Sequence, residues 1–335
     1  MEKNEWTAAE LLQLSGGYWS VCALHAGVKL DVFTPLVEQT LNARQLAEAL
    51  EIDPRGLSML LNALAALNLL EKKGDFYSST PFSAKFLSRT SGQNLGDIIL
   101  HHRFLMASWS RLDISVRSGG PDAERIGGAN DEEVRENFEM GMFNLATQIA
   151  PRIVSRIDLL GRCRLLDLGG GPGTYAVHFC LHNPELSAVV YDLPSTRPFA
   201  EKTIARYGLA DRIAFTAGDF MTGEVGERYD VAWLSHVLHG VGPDGCAVVL
   251  QKAVRALDPG GLILVQEFIL DDTMDAPLYP ALFSLNMLLG TADGQAYSQG
   301  DLFALLGAAG VAELRRLSID LPNGAGIIAG NVPKA

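Results

Sequence analysis

The chain has 335 residues, 48% hydrophobic and 20% charged, which is enough apolar side chain for two cores at roughly 100–200 residues per domain. Lys and Arg total 27 against 39 Asp and Glu, and the resulting net charge of −12 opposes a nucleic-acid backbone or an anionic membrane surface as the main partner. No apolar run reaches the ~18–20 residues of a membrane span, the N-terminal segment lacks a signal-peptide pattern, and Cys22, Cys163, Cys180 and Cys246 form no C-x-x-C pair, so a cytoplasmic protein with reduced, mostly buried thiols is expected.

Thr7 to Val37 reads as helical, with apolar residues at Leu11, Leu14, Tyr18, Val21, Leu24 and Val28 suited to a core or a partner. A helix over residues 41–50, a turn at Asp53-Pro54, a second helix through Leu70 and a Gly-centred hairpin over residues 71–77 describe a winged helix. Its second helix carries Arg55 as its single basic residue and is otherwise rich in leucine, so packing or dimerisation is favoured over DNA binding. Residues 81–150 read as helical, with loop points at 118–121 and 126–128.

After Pro151 short apolar runs alternate with helical stretches: Arg164–Leu168, Ser187–Tyr191, Ile213–Ala217, Val231–Leu234 and Leu262–Glu267. Such alternation predicts a parallel sheet with crossover helices, and the tail from Ala312 to Val332 predicts a closing antiparallel hairpin. The domain boundaries expected are 1–105, a helical linker over 106–150, and 151–335.

The strongest local signal is the strand-to-helix passage from Leu165 to Ala176, with glycines at 169, 170, 171 and 173, a place where backbone can approach a ligand closely. Gly171, Gly173 and Ala176 also fit a dinucleotide fingerprint, with Asp192 at the distance expected for a ribose contact. Three further features favour S-adenosylmethionine: Asp167 before the glycines, Tyr191-Asp-Leu-Pro194 after the second strand, and Ala217-Gly-Asp-Phe220 after the third.

With these motifs in this order the chain resembles, over nearly its whole length, the two-domain O-methyltransferase family that includes caffeate-type, hydroxyindole-type and bacterial natural-product tailoring enzymes. The resemblance implies an α/β fold: a Rossmann-like class I methyltransferase sheet with a C-terminal antiparallel hairpin, preceded by a mostly helical winged-helix dimerisation domain. It implies a homodimer in which the N-terminal domain closes one wall of the partner's pocket. It also implies that Gly169, Gly170 and Gly171 pass the methionine and ribose parts of the cofactor, that Asp192, with Leu193 beside it, accepts the ribose hydroxyls, and that Asp219 and Phe220 flank the adenine. Ser235 falls where relatives often carry Lys or Arg near that ring. Asp167 is either structural or faces the methionine amine.

The stretch Val231 to Gly240 resembles the family segment ending in L-H-D-W, which places the general base on His239, with His236 three residues earlier as the competing choice. Gly240-Val241 replaces the family's Asp-Trp, and Ala296 stands where a glutamate supporting the histidine is expected. Glu267 is then a substitute carboxylate, or else a cap or rim charge. No metal is expected: His178 and His182 have metal-capable spacing but lack a third ligand. Trp109, Phe138, Met142, Phe143, Phe283, Asn286 and Met287 are candidates to line an apolar pocket for a small aromatic acceptor, each with plain core as the alternative. Other readings are a methyltransferase fold turned to another reaction on the same cofactor, an NAD-dependent oxidoreductase, and a ligand-sensing winged-helix regulator.

Overall fold

The computed structural model describes residues 5–122, 132–226 and 228–334. The chain divides into two compact units, Met1–Leu105 with Glu132–Asn144, and Met106–Asp131 with Leu145–Ala335. The stretch 106–150, expected as one linker, is thus shared between them, and the loop point at 126–128 lies outside the described residues.

In the first unit, α1 (Ala8–Gly16) starts from a capping box in which Thr7 and Glu10 each bond the other's backbone amide. The stretch to Val37 that reads as helical comprises α1, α2 (Tyr18–Lys29) and the short α3 (Pro35–Glu38), and the chain turns at Gly17 and again through Asp31, whose φ is +55°. Then follow β1 (Leu41–Asn42), α4 (Ala43–Leu50), α5 (Pro54–Ala66), β2 (Leu70–Lys73), β3 (Phe76–Ser79), α6 (Pro81–Phe86) and α7 (Gly96–Trp109), which runs on into the second unit. Asp53 caps α5 through the Gly56 amide and Pro54 opens its first turn, as the Asp-Pro pair predicts.

The strands of this unit form a three-stranded antiparallel sheet in the order β1-β3-β2. Phe33, Leu36, Leu46, Leu57, Leu61 and Leu64 form the core of this unit, so the leucine-rich face of α5 packs inward. By contrast α1 buries none of its residues, and Leu11, Leu12, Leu14, Tyr18 and Trp19 stand exposed.

The second unit begins with α8 (Leu112–Ser118) and takes the C-terminal part of α9 (Glu132–Val154). Next come β4 (Arg164–Leu168), α10 (Thr174–His182), β5 (Ser187–Asp192), α11 (Arg197–Arg206), β6 (Ile213–Ala217) and β7 (Tyr229–Ser235). These are followed by α12 (Pro243–Ala256), β8 (Leu257–Leu270), α13 (Leu278–Gly290), β9 (Tyr297–Ser298), α14 (Gln299–Ala308), β10 (Ala312–Arg316) and β11 (Ala325–Asn331).

The main path of the sheet runs β10-β11-β8-β7-β4-β5-β6, with β9 beside β8. β4 to β8 pair in parallel, and β11 returns antiparallel between β8 and β10, as the tail predicts. Leu165, Leu166 and Leu168 on β4 and Ala232, Trp233 and Leu234 on β7 are wholly buried, the continuous apolar run that a sheet covered on both faces requires. Strand order reverses at β4, so the crevice beyond the carboxyl ends of β4, β5 and β7 is where such a sheet receives its ligand.

Of the cysteines, Cys180 and Cys246 are buried, but Cys22 and Cys163 are exposed, so the thiols are only half as hidden as their apolar neighbours suggest.

Candidate active site

The chain leaves β4 through the glycine turn and enters α10. Gly169 has a φ of +68°, and a Cβ there would stand 2.6 Å from Val237 and 3.6 Å from the Phe220 ring. The glycine thus lets three loops converge, after β4, β6 and β7. Helix α10 has no side-chain cap at its own N-terminus, and the Asp167 carboxylate takes that role from the end of β4, accepting the Ala176 amide at 3.1 Å. Burial pushes the Asp167 carboxyl up to about 7, and the charge of Asp192 adds to the effect. Of its two expected readings, the structural one describes this contact.

Asp192 closes β5 and ties itself to the glycine turn: Oδ2 accepts the Gly171 amide at 2.8 Å, and Oδ1 accepts the Leu193 amide at 2.6 Å and the Thr196 hydroxyl at 3.3 Å. Burial raises its carboxyl above the usual range against the pull of these bonds. A carboxylate offers about four acceptor positions, so Oδ2 keeps one for a hydroxyl. Leu193 beside it is 47% exposed.

Asp219 accepts the Met221 amide at 2.7 Å and the Thr222 hydroxyl at 3.2 Å, which shapes the loop carrying Phe220. Two residues missed in the sequence hold this loop. The Tyr191 hydroxyl packs under it so tightly that a Cβ on Gly218 would come within 2.0 Å, and Lys252 Nζ donates to the Met221 and Gly223 carbonyls, each at 2.8 Å. Ser235, at the end of β7, lies within hydrogen-bond reach of the Tyr175 hydroxyl, which also meets Gln266.

These features test the fit of S-adenosylmethionine. The loops at 169–176, 191–196 and 217–222 bring carboxylates, backbone amides and an aromatic ring together and carry no Lys or Arg. A cationic sulfonium with ribose hydroxyls and an adenine amine suits that set, whereas a pyrophosphate dianion would face carboxylates without a counter-charge. The residues fit the cofactor.

His239 is positioned by a carboxylate on β8. Glu267 is 1% exposed, and its Oε1 accepts the Leu238 amide at 2.8 Å and the His239 amide at 3.4 Å. Its Oε2 lies 2.7 Å from His239 Nδ1. Burial alone would raise the Glu267 carboxyl, but the facing rings of His239, which is hydrogen-bonded to it, and of His236 carry it well below the usual carboxylate range. An ionised carboxylate only accepts, so Nδ1 carries the hydrogen and Nε2 keeps its lone pair. Ala296 is buried and brings no carboxylate, while Glu267 supplies one.

His236 differs. It sits at a φ of +57°, its Nε2 faces the Gln266 amide nitrogen at 3.2 Å, and its Nδ1 stands 3.6 Å from Glu267 Oε2. Gln266 thus engages Nε2 of His236, while its Nδ1 has no hydrogen-bond partner.

The turn at Leu238–Gly240, which lacks the family's Asp-Trp, is held by other contacts. Tyr297 donates to the Val241 carbonyl at 2.6 Å, Cys246 Sγ to the Leu238 carbonyl at 3.3 Å, and Gly294 lies so close that a Cβ would be 2.4 Å from the His239 carbonyl.

Among the expected pocket residues, Phe283 packs edge-on against His239 with ring centroids 4.8 Å apart. Phe268 and Tyr279, not singled out in the sequence, join this aromatic cluster: Phe268 lies 4.3 Å from His236, 4.7 Å from Phe283 and 4.9 Å from Tyr279. Trp109 Nε1 donates to Asn286 at 3.0 Å, and Met287 is buried. Phe138, Met142 and Phe143 belong to the first unit, where Phe138 meets the His101 ring.

His178 packs on Tyr207 and His182 is exposed, and among the described residues neither belongs to a group of three ligands. The sequence did not reveal a different group: His236, His239 and Glu267 place one ligand atom each within 4.8 Å of one another, a set that could hold a metal ion. Glu267 lies 28 residues from His239 and meets it only through the parallel pairing of β7 with β8.

Residues 109–312 match the model of the O-methyltransferase domain, and residues 12–89 that of the O-methyltransferase dimerisation domain. The chain is 31% identical to the 3-hydroxy-5-methyl-1-naphthoate 3-O-methyltransferase of Streptomyces sahachiroi, covering 96% of this chain and 94% of that protein. It is 29% identical to the N,N-dimethyltransferase OxyT of Streptomyces rimosus, covering 90% of each. Human N-acetylserotonin methyltransferase, solved in complex with SAM, superposes with a TM-score of 0.88 at 25% identity over the whole of both chains. The fold and these matches define an S-adenosylmethionine-dependent methyltransferase with a Rossmann-like catalytic sheet. Within that class the chain belongs to the O-methyltransferase family with an N-terminal dimerisation domain.

Proposed function

We propose that this enzyme methylates a hydroxyl of a small aromatic acceptor, with His239 as general base. The observation that carries the reading is the 2.7 Å contact between His239 Nδ1 and an ionised Glu267 whose other oxygen is pinned by the Leu238 amide. Bound S-adenosylmethionine supplies a methyl group activated by its sulfonium charge. Gly169, Gly170 and Gly171 offer backbone to its methionine and ribose parts, Asp192 accepts a ribose hydroxyl beside Leu193, and Asp219, Phe220 and Ser235 frame the adenine.

His239 Nε2 accepts the proton of the acceptor hydroxyl as its oxygen becomes nucleophilic, and Glu267 stabilises the imidazolium that forms. Phe283, Phe268 and Tyr279 supply flat apolar surface that orients a planar ring and keeps water from the reacting oxygen. Two of the relatives carry names that specify a naphthoate and an acetylserotonin, both aromatic, which supports the acceptor class.

The first unit is proposed to be the dimerisation domain of a homodimer, its contact surface the exposed apolar side chains of α1 and α2. No helix of the described residues is long and apolar enough to cross a membrane. The test of function is methyl transfer from S-adenosylmethionine to a panel of naphthols, hydroxyindoles and matched aryl amines. Methylation of phenolic oxygen supports the proposal, and methylation of the amines alone contradicts it.

A further inference from the structure

Two buried polar atoms beside the base have no partner: His236 Nδ1 and the Gln266 side-chain oxygen. Leaving such atoms unpaired costs about 1–3 kcal/mol each, so their occurrence side by side calls for a cause. Both belong to one arrangement. Glu267 Oε1 is taken by the Leu238 and His239 amides, while Oε2 points to the Nδ1 atoms of His239 at 2.7 Å and His236 at 3.6 Å. Two imidazoles and one carboxylate oxygen therefore converge, all within 4.8 Å of one another.

We propose that His236, His239 and Glu267 form a binding site for a divalent transition-metal ion of the zinc type, and that an ion held there inhibits methyl transfer. Nitrogen and carboxylate donors in this number match the three-ligand sites that such ions occupy, with the open positions filled by water. The ion accounts for both unpaired atoms. Coordination through Nδ1 places the hydrogen of a neutral imidazole on Nε2. On His236 that Nε2–H needs an acceptor, and half a turn of the Gln266 amide, whose nitrogen now lies 3.2 Å away, presents the unpartnered oxygen. A metal-bound histidine held by its second nitrogen in this way is the arrangement such sites favour.

The same tautomer change explains inhibition. Metal on Nδ1 of His239 moves the ring hydrogen to Nε2, the atom that must accept the substrate's proton. One proton leaves Nδ1 to solvent and one is taken up at Nε2, so the ring stays neutral but can no longer act as a base. The inhibition rests on His239 being the base, whereas the binding does not.

The test uses the full-length protein, stripped with a chelator and titrated with Co²⁺ while visible absorption is recorded. Zn²⁺ competition and methyl transfer with and without EDTA are measured in parallel. The expected result is one Co²⁺ per chain with a ligand-field band that Zn²⁺ displaces, and inhibition by Zn²⁺ that EDTA reverses. His236→Phe should weaken Co²⁺ binding roughly ten-fold or more and abolish the inhibition, while the double variant His178→Ala/His182→Ala keeps both. If His236→Phe does not fold, Glu267→Gln retains an oxygen for the amides and should weaken Co²⁺ binding to a similar degree. No saturable Co²⁺ band in the unmodified protein, or an unchanged band in the variant, overturns the site. A band lost in His236→Phe, together with methyl transfer that survives full Zn²⁺ occupancy, supports the site and contradicts the role of His239 as base.

Discussion

Glu267 holds His239 from two sides: Oε2 meets the ring at Nδ1, 2.7 Å away, and Oε1 accepts the backbone amides of Leu238 and His239. One carboxylate thus fixes the imidazole's tautomer, its orientation and the turn that carries it. Replacing Glu267 with Gln keeps an acceptor for the turn but leaves the imidazolium without its counter-charge. The expected result is a kcat lower by roughly 10²–10⁴-fold, the scale seen when a base loses its orienting carboxylate or is removed. Steady-state kinetics with a saturating acceptor check it, and the KM for S-adenosylmethionine should move by no more than a few-fold.

Asp192 is predicted to act on binding. Its carboxylate joins the glycine turn to the end of β5 through Gly171 and Leu193 and has one acceptor position open. Hydrogen bonds to a charged group contribute about 1.5–3 kcal/mol, so Asp192→Ala should weaken S-adenosylhomocysteine by roughly 10- to 150-fold in calorimetric titration. An unchanged affinity would remove Asp192 from the cofactor site.

Asp167 gives a pH signature in stability. Its carboxyl lies at about 7 when folded, against an ordinary 3.8, so between these values the folded chain binds a proton that the unfolded chain releases. The stability tied to that proton is fully present below 3.8 and is lost as pH rises through about 7. Asp167→Asn still accepts the Ala176 amide and has no proton to lose. Chemical denaturation of both proteins from pH 4 to 8 should show the variant gaining on the parent as pH rises, by an amount on the order of a few kcal/mol at the upper end.

Gly294 is the position where a single methyl group should disturb His239 without touching its ring. A Cβ there would sit 2.4 Å from the His239 carbonyl and 2.9 Å from the Gly240 carbonyl carbon, both backbone. Overpacking of this kind costs about 1–3 kcal/mol, and displacement of the Leu238–Gly240 turn should lower kcat along with melting temperature. A Gly294→Ala variant with unaltered kcat would show that the turn moves freely of the base.

The exposed apolar stripe of α1 and α2 predicts a dimer. Leu12 is 72% and Trp19 69% exposed, values that one copy of the chain leaves without cover. Leu12→Glu combined with Trp19→Glu should shift the mass measured by light scattering from two chains to one. A parent protein already running as one chain would refute the proposed homodimer.

Much of this was legible in the sequence because the signals are local. The strands of the parallel sheet announce themselves as apolar runs, the Asp53-Pro54 pair marks the start of α5, and the glycine turn stands between a strand and a helix. The carboxylate that faces His239 was only half legible. Ala296 suggested that the carboxylate was missing, and Glu267 could be named as a substitute but not placed, since its approach to His239 depends on β7 and β8 being neighbours. The aromatic cluster was missed for a related reason: Phe268 and Tyr279 look like ordinary strand and helix residues until α13 packs beside the end of β8. The convergence of His236 with His239 and Glu267 likewise depends on that strand pairing together with the left-handed backbone of His236, and a three-residue spacing alone carries neither.

The most direct test of the central claim is the single-turnover rate of methyl transfer by His239→Ala, with S-adenosylmethionine pre-bound and a phenolic acceptor in excess. The account predicts a rate lower by roughly 10²–10⁴-fold with the affinity for S-adenosylmethionine retained. A rate within a few-fold of the parent would contradict it and leave alignment of the acceptor as the source of catalysis.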